Sequence, residues 1–328
     1  MQFVSERRKY LGRLLNHGDR PWNGLMVAVS LAVVLLMLAI GVLLWRDSAA
    51  ARSAFGWRFL IPTMSADWNP VLDKYQAWPF IYGTLLTSFA AIIIAVPVSL
   101  GTAIFLSEIS PNWLRAPLGW MVEMLAAIPS VVYGLWGIFI FLPGIVTPVG
   151  RFLGGALSTV PLLGSFFAGS IPVSGASRLA AAMILAIMVI PTIAAVTRDV
   201  FLAIPHAQRE ASLALGATYW ETIWNVLIPY GLPGILGATI LGLGRALGET
   251  MAVTMVIGNS TEGSLSLLRP GYTMSSVIAN QFAEAASNLH SNALIEIGLI
   301  LFVMTLVLNI IARLLVWRVA QKGGEVNR

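Results

Sequence analysis

Arg245 and Glu249 stand four residues apart within Leu241-Gly-Leu-Gly-Arg-Ala-Leu-Gly-Glu-Thr-Met-Ala-Val253, a stretch otherwise apolar enough to lie in lipid. In one continuous helix that spacing puts both side chains on the same face. A charge at the bilayer centre costs at least about 2.5–3.5 kcal/mol on insertion scales, so it faces a bundle interior or wet cavity and takes a partner. Two readings stay open for the pair. Either it neutralises itself and ties helices together, or Arg245 offers a forked, positive donor to an oxyanion while Glu249 holds the guanidinium when none is bound.

Other residues in apolar surroundings extend the set. Glu123 serves either as a buried structural contact or as part of a polar path. Pro129 lacks an N–H and breaks the helical ladder, so it either kinks a packed helix or starts a half-helix whose free N–H groups, with Ser130, face an anion. Glu296 is placed to reach the outer interface. Gly234, Ala238, Gly242 and Ala246 recur every four residues, and Gly244 with Gly248 adds a small-xxx-small step. Such faces let another helix approach closely.

Catalysis finds no candidate. A phosphate-cradling Gly-rich loop ending in Lys-Ser or Lys-Thr is missing from the sequence, and no nucleophile stands in a pattern with a base. With 0 cysteines and 3 scattered histidines (His17, His206, His290), neither disulfides nor a metal-ligand spacing is available, and no cofactor is expected. The formal charge of +5 does not mark a nucleic-acid surface, because Lys and Arg flank apolar runs rather than line one face.

The elements that must position these residues are membrane helices. The 328 residues are 57% hydrophobic and only 11% charged, with a mean hydropathy of +0.81, which predicts an all-α integral membrane protein in a lipid bilayer. Six apolar runs reach or approach the roughly 20 residues that cross the hydrocarbon core: about 24 to 45, 80 to 107, 118 to 142, 179 to 197, 231 to 258 and 293 to 317. Arg245 then falls roughly 21 Å into the fifth, near mid-bilayer, at 1.5 Å per residue. The first run is too long for a signal-peptide core and reads as an uncleaved anchor. With both termini inside, twelve Lys and Arg lie on the inner side against seven outside, which favours cytoplasmic termini.

Residues 1–23 form a cytoplasmic amphipathic segment in which Arg7, Arg8, Lys9 and Arg13 lie beside Tyr10, Leu11, Leu14 and Leu15. Residues 24–317 form the transmembrane domain and 318–328 a cytoplasmic tail. Trp57, Trp68, Tyr75 and Trp78, in the first outer loop, are expected as interface anchors. The Gly-, Pro- and Ser-rich segment from Pro143 to Ser177 reads as interfacial or re-entrant.

One long polar stretch remains, Gln208 to Pro229, on the inner side between two spans. Its Glu210-Ala211-Ser212, then Gly216, then Ile228-Pro229 resembles the coupling loop of ABC-importer permeases, here 198–230. Ser212 replaces the usual second alanine. Ile128-Pro-Ser-Val-Val-Tyr-Gly-Leu-Trp-Gly137 and Gly244-Arg-Ala-Leu-Gly-Glu-Thr-Met-Ala-Val253 resemble the signature stretches of the C-type permease of phosphate-specific ABC importers, and the likeness runs from about Pro79 to the C-terminus. The resemblance implies a type I importer fold with a cytoplasmic coupling helix and a core of about 79–317, in a bacterial cytoplasmic membrane. It implies as partners a homologous second permease, two cytoplasmic ATPase subunits and a periplasmic phosphate-binding protein. It also assigns Arg245 and Glu249 to phosphate passage, with Ser130 and Glu123 as further path candidates. In the coupling loop, Arg209 and Glu221 would be rim contacts to the ATPase, Ala211, Leu213, Ala214 and Leu215 packed ones, with Glu210, Gly216 and Pro229 giving the loop its shape and Ser212 counted among the coupling residues.

Three other readings stay in play: a permease for another oxyanion such as sulfate, an ion-driven transporter relaying protons through Glu123 or Glu249, and a structural or signalling subunit. The coupling loop argues against the ion-driven one.

Overall fold

The computed structural model describes residues 2–61, 68–161 and 163–325; the side chains of residues 2–21, and so the basic face expected there, lie outside the described residues, as do those of the tail beyond 321. Lipid offers backbone groups no hydrogen bonds, so apolar runs of this length satisfy their own as helix. The order is α1 (Gln2–Asp47), α2 (Ala49–Phe55), α3 (Trp78–Ile104), α4 (Asn112–Ala126), α5 (Ser130–Trp136), α6 (Thr147–Leu157), α7 (Arg178–Ala203), α8 (His206–Ala214), α9 (Tyr219–Thr222), α10 (Ile228–Gly248), α11 (Met251–Val256), α12 (Met274–Gln281) and α13 (Asn288–Glu325). Wider π-type turns join α5 to α6 and α9 to α10. Among the described residues the only β pairings are two isolated bridges, Asn69 with Lys74 and Gly258 with Gly271.

Among the described residues, six helices are long and apolar enough to cross a membrane: Trp22–Asp47, Trp78–Ile109, Ser130–Leu157, Arg178–Ala203, Tyr219–Gly248 and Asn288–Val319. The number matches expectation; two boundaries do not. The third run, read over 118 to 142 with either a kink or a half-helix start open at Pro129, is divided: α4 stops at Ala126, Pro129 caps the next helix from an extended conformation, and helix resumes at Ser130. Proline's missing N–H and fixed φ account for the division. Much of the segment after Pro143 therefore belongs to helix, through Leu157.

The fifth run, expected over 231 to 258, starts earlier and ends at Gly248. Glu249 is extended there (φ −68°, ψ 128°), and its carboxylate accepts the Ala252 N–H at 3.2 Å, capping α11.

The central layer is α7 against α3 and α10, with α7 buried over most of its length. The small-residue face of α10 makes this possible. Ala238 and Ala246 are buried, and a Cβ on Gly242 would sit 2.6 Å from Ile193 Cδ1 of α7. Gly242→Leu is accordingly expected to destabilise by about 1–3 kcal/mol through overpacking, read as a lower unfolding temperature in detergent; an unchanged temperature would dissociate this face from α7. Gly244 and Gly248 have no such neighbour within 4 Å in the chain.

A second core lies at the end of the bundle formed by residues 49–61, 68–80 and α12, where Trp68 and Tyr75 are 5% and 4% exposed. Trp68 meets Tyr75 and Phe80 edge-on, each at 4.9 Å, and its indole N–H donates to Gln281 Oε1 at 2.7 Å. These two rings are core rather than anchors, because α12 and the start of α13 fold over them. Trp57, 83% exposed, keeps the anchor's position.

Candidate substrate path and coupling helix

Two helix interruptions meet around Arg245. Its Nη1 donates to Thr192 Oγ1 at 3.1 Å, and its Nη2 to the Ala126 carbonyl at 3.3 Å, at the free C-terminal end of α4. Thr192 stands near the middle of Arg178–Ala203, roughly 21 Å from its N-terminal end at 1.5 Å per residue. Arg245 thus sits near mid-membrane although it occupies the last turn of α10.

The expected Arg245–Glu249 bond is not formed. The chain turns out of helix at Glu249, so the four-residue spacing no longer aligns the side chains, and the carboxylate caps α11 while its backbone carbonyl accepts from Ser275 Oγ at 2.8 Å. Every hydrogen-bond partner of the Arg245 guanidinium among the described residues is a neutral oxygen. Its positive charge is left without a carboxylate.

Ser130 opens the helix on the other side of the Pro129 break. Glu123 is held by another partner: Arg198 Nη2 bonds its Oε1 at 3.1 Å and Asp199 Oδ1 at 3.0 Å, toward the C-terminal end of α7. With the Glu123 side chain 51% exposed, that pair contributes little, about 0–1 kcal/mol. The structure therefore brings Arg245 to the α4–α5 break, places Glu249 at the second break, and separates Glu123 from both. Thr192 was missed by sequence reading; a lone threonine in an apolar helix carries no signal.

At the opposite end of the bundle from Trp68 and Tyr75, α8 carries the residues expected in the coupling loop. Gly216 follows it with φ +88°, and its N–H returns to the Leu213 carbonyl at 3.0 Å, the left-handed turn that glycine takes most easily after a helix. Glu210, Ala211, Leu213, Ala214 and Leu215 are exposed, Leu215 by 90%. Arg209 and Ser212 face inward. Ser212 Oγ lies 3.0 Å from Thr222 Oγ1. Arg209, expected at a rim, instead makes a fork with Glu108, Nη2 to Oε1 at 2.8 Å and Nε to Oε2 at 3.2 Å, and also donates to the carbonyls of Ile204 and Phe201, each at 2.7 Å. Glu108 gave no sequence signal because its partner is remote in the chain. Glu221 closes a capping box with Thr218, accepting the Thr218 N–H at 2.7 Å, and so starts α9.

Residues 95–321 match the family model described as "binding-protein-dependent transport system inner membrane component". The chain belongs to this family. Among curated relatives, the phosphate transport system permease protein PstC of Xylella fastidiosa (strain 9a5c) is 45% identical over 92% of this chain and 91% of its own. That of Pasteurella multocida is 48% identical over 89% and 90%. A solved bacterial ABC transporter involved in importing alginate aligns with TM-score 0.58 and 18% identity over 93% of this chain and 99% of its own, a likeness of fold. The permease is thus a PstC-type, multi-pass inner-membrane component of an ABC transport system, distinct from its catalytic subunit, and works with an ATPase and a binding protein.

Proposed function

We propose that this permease moves inorganic phosphate from a periplasmic phosphate-binding protein into the cytoplasm by alternating access, with both termini cytoplasmic. A homologous second permease and two ATPase subunits complete the assembly. The observation that carries the substrate reading is the mid-membrane guanidinium bonded only to neutral oxygens. Such a group attracts an oxyanion, and a fork suits one with adjacent oxygens. The N–H groups opening the helix at Ser130 add a second, weaker pull on the same anion. The names carried by the relatives select phosphate among oxyanions.

Inward movement needs an energy source, since an inside-negative potential opposes it by about 2.3 kcal/mol per charge per 100 mV. The exposed face of α8 supplies the entry point: Ala211, Leu213, Ala214 and Leu215 seat in the ATPase, Glu210 borders them, and Gly216 sets the turn. Arg209 and Ser212 hold α8 from within, and the exposed Glu221 caps α9 beside it. Opening and closing of the ATPases then exposes Arg245 alternately to each side.

Labelled phosphate uptake into vesicles carrying the assembled importer tests the reading. Unlabelled phosphate competes and sulfate does not; equal competition by sulfate would overturn the substrate assignment. Gly216→Leu has open space around it within the chain, so its cost is backbone strain of about 1–2 kcal/mol plus a clash in the docked state. The expected result is weaker ATPase co-purification with the permease still folded. Undiminished co-purification would remove α8 from the coupling route.

A further inference from the structure

One cavity lies away from both the path and the coupling helix. It encloses about 780 Å³ between α1, α2, α3 and α13. Its lining on α13 runs from Glu296 to Leu308, roughly 18 Å at 1.5 Å per residue, and is apolar beyond Glu296. That length is slightly more than one leaflet of a ~30 Å hydrocarbon core.

The other end is charged. Arg52 lies with its guanidinium carbon 3.8 Å over the Trp45 ring. Trp45 and Trp57 are 60% and 83% exposed, and both line the cavity, as aromatic rings do at headgroup depth. Glu296, expected to reach the interface, is instead only 6% exposed, and its Oε2 is buried without a hydrogen-bond partner. A buried carboxyl oxygen in that state needs a donor from outside the chain.

We propose that this cavity binds one phospholipid with a primary-amine headgroup, one of its acyl chains along α13, its phosphate at Arg52 and its ammonium N–H at Glu296. Each part of such a lipid meets its complement: methylenes the apolar wall, phosphate the guanidinium, ammonium the carboxyl. An apolar helix from another subunit would fill the wall but bring no donor for Glu296. A choline headgroup has no N–H; a glycerol headgroup has hydroxyl donors but no positive charge to complement a carboxylate, so it should be retained less.

Native mass spectrometry of the assembled importer, supplied in turn with phosphatidylethanolamine, phosphatidylcholine and phosphatidylglycerol, reads the occupancy directly. Wild type should retain one phosphatidylethanolamine per copy of this chain. Glu296→Gln and Arg52→Ala should each lower that retention about tenfold, the equivalent of about 1.4 kcal/mol. Val303→Trp, which fills the cavity while leaving both charges, should abolish it. Retention unchanged in all three variants, equal retention of phosphatidylcholine, or a cross-link from Val303 to another subunit in place of any retained lipid would overturn the proposal.

Discussion

Arg245→Gln is expected to lower phosphate uptake at least ~100-fold while the complex still assembles. Charge-assisted hydrogen bonds contribute about 1.5–3 kcal/mol each, and the guanidinium fork can offer two to one oxyanion. Losing both exceeds the roughly 2.7 kcal/mol that corresponds to two decades. Assembly should survive, because Arg245 is half-buried and its bonds go to the Thr192 hydroxyl and the Ala126 carbonyl, neither of which is left as an unpaired charge. Arg245→Lys keeps the charge without the fork and should fall between the two. Glu249→Gln should cost far less, since an amide oxygen still accepts the Ala252 N–H that caps α11. Initial rates of labelled uptake with subunit stoichiometry checked in parallel read all three. Wild-type uptake by Arg245→Gln would take this residue off the path.

The contrast between Arg245 and Glu249 marks how far the sequence could be read. The type of fold was legible because lipid leaves apolar runs few alternatives to helix, and the six runs are long enough to register individually. Pro129 announced its break for the same local reason. The break at Glu249 was invisible: Gly248-Glu249-Thr250 contains no proline, and what ends α10 there is a cap on α11 and a bond from Ser275 in a distant helix. A four-residue spacing implies a shared face only while the helix continues, so the predicted ion pair failed with it. Trp68 and Tyr75 show the same limit, since a buried aromatic and an interface anchor look alike until the covering α12 is placed. Their burial has one electrostatic sign: loss of solvation pushes the Tyr75 hydroxyl above its ordinary pKa, so it stays protonated.

Glu108 and Arg209 are the remaining case of remote partners, and they carry the other large expected effect. The Glu108 side chain is 5% exposed and that of Arg209 13%, so the fork between them is desolvated. It ties α8 to the turn after α3, while the Arg209 bonds to Phe201 and Ile204 tie the same helix to the end of α7. If the ATPase docks at α8 as proposed, its movement would reach two spans at one point. Arg209→Ala leaves Glu108 as a buried carboxylate whose remaining side-chain hydrogen-bond partner among the described residues is the Tyr219 hydroxyl, at 3.4 Å and already 2.9 Å from the Glu108 carbonyl, and breaking a buried pair this way costs about 3–5 kcal/mol. The single variant should unfold at a markedly lower temperature in detergent and lose uptake. Replacing both partners, Glu108→Leu with Arg209→Met, removes the stranded charge and should recover most of the stability. Uptake should stay low in that double variant, because α8 has lost its tether without regaining a rigid link to α3. Stability and transport are thereby separated: recovery of both together would make the pair a purely structural contact, and full uptake in Arg209→Ala would show that drive from the ATPase reaches the spans by another route.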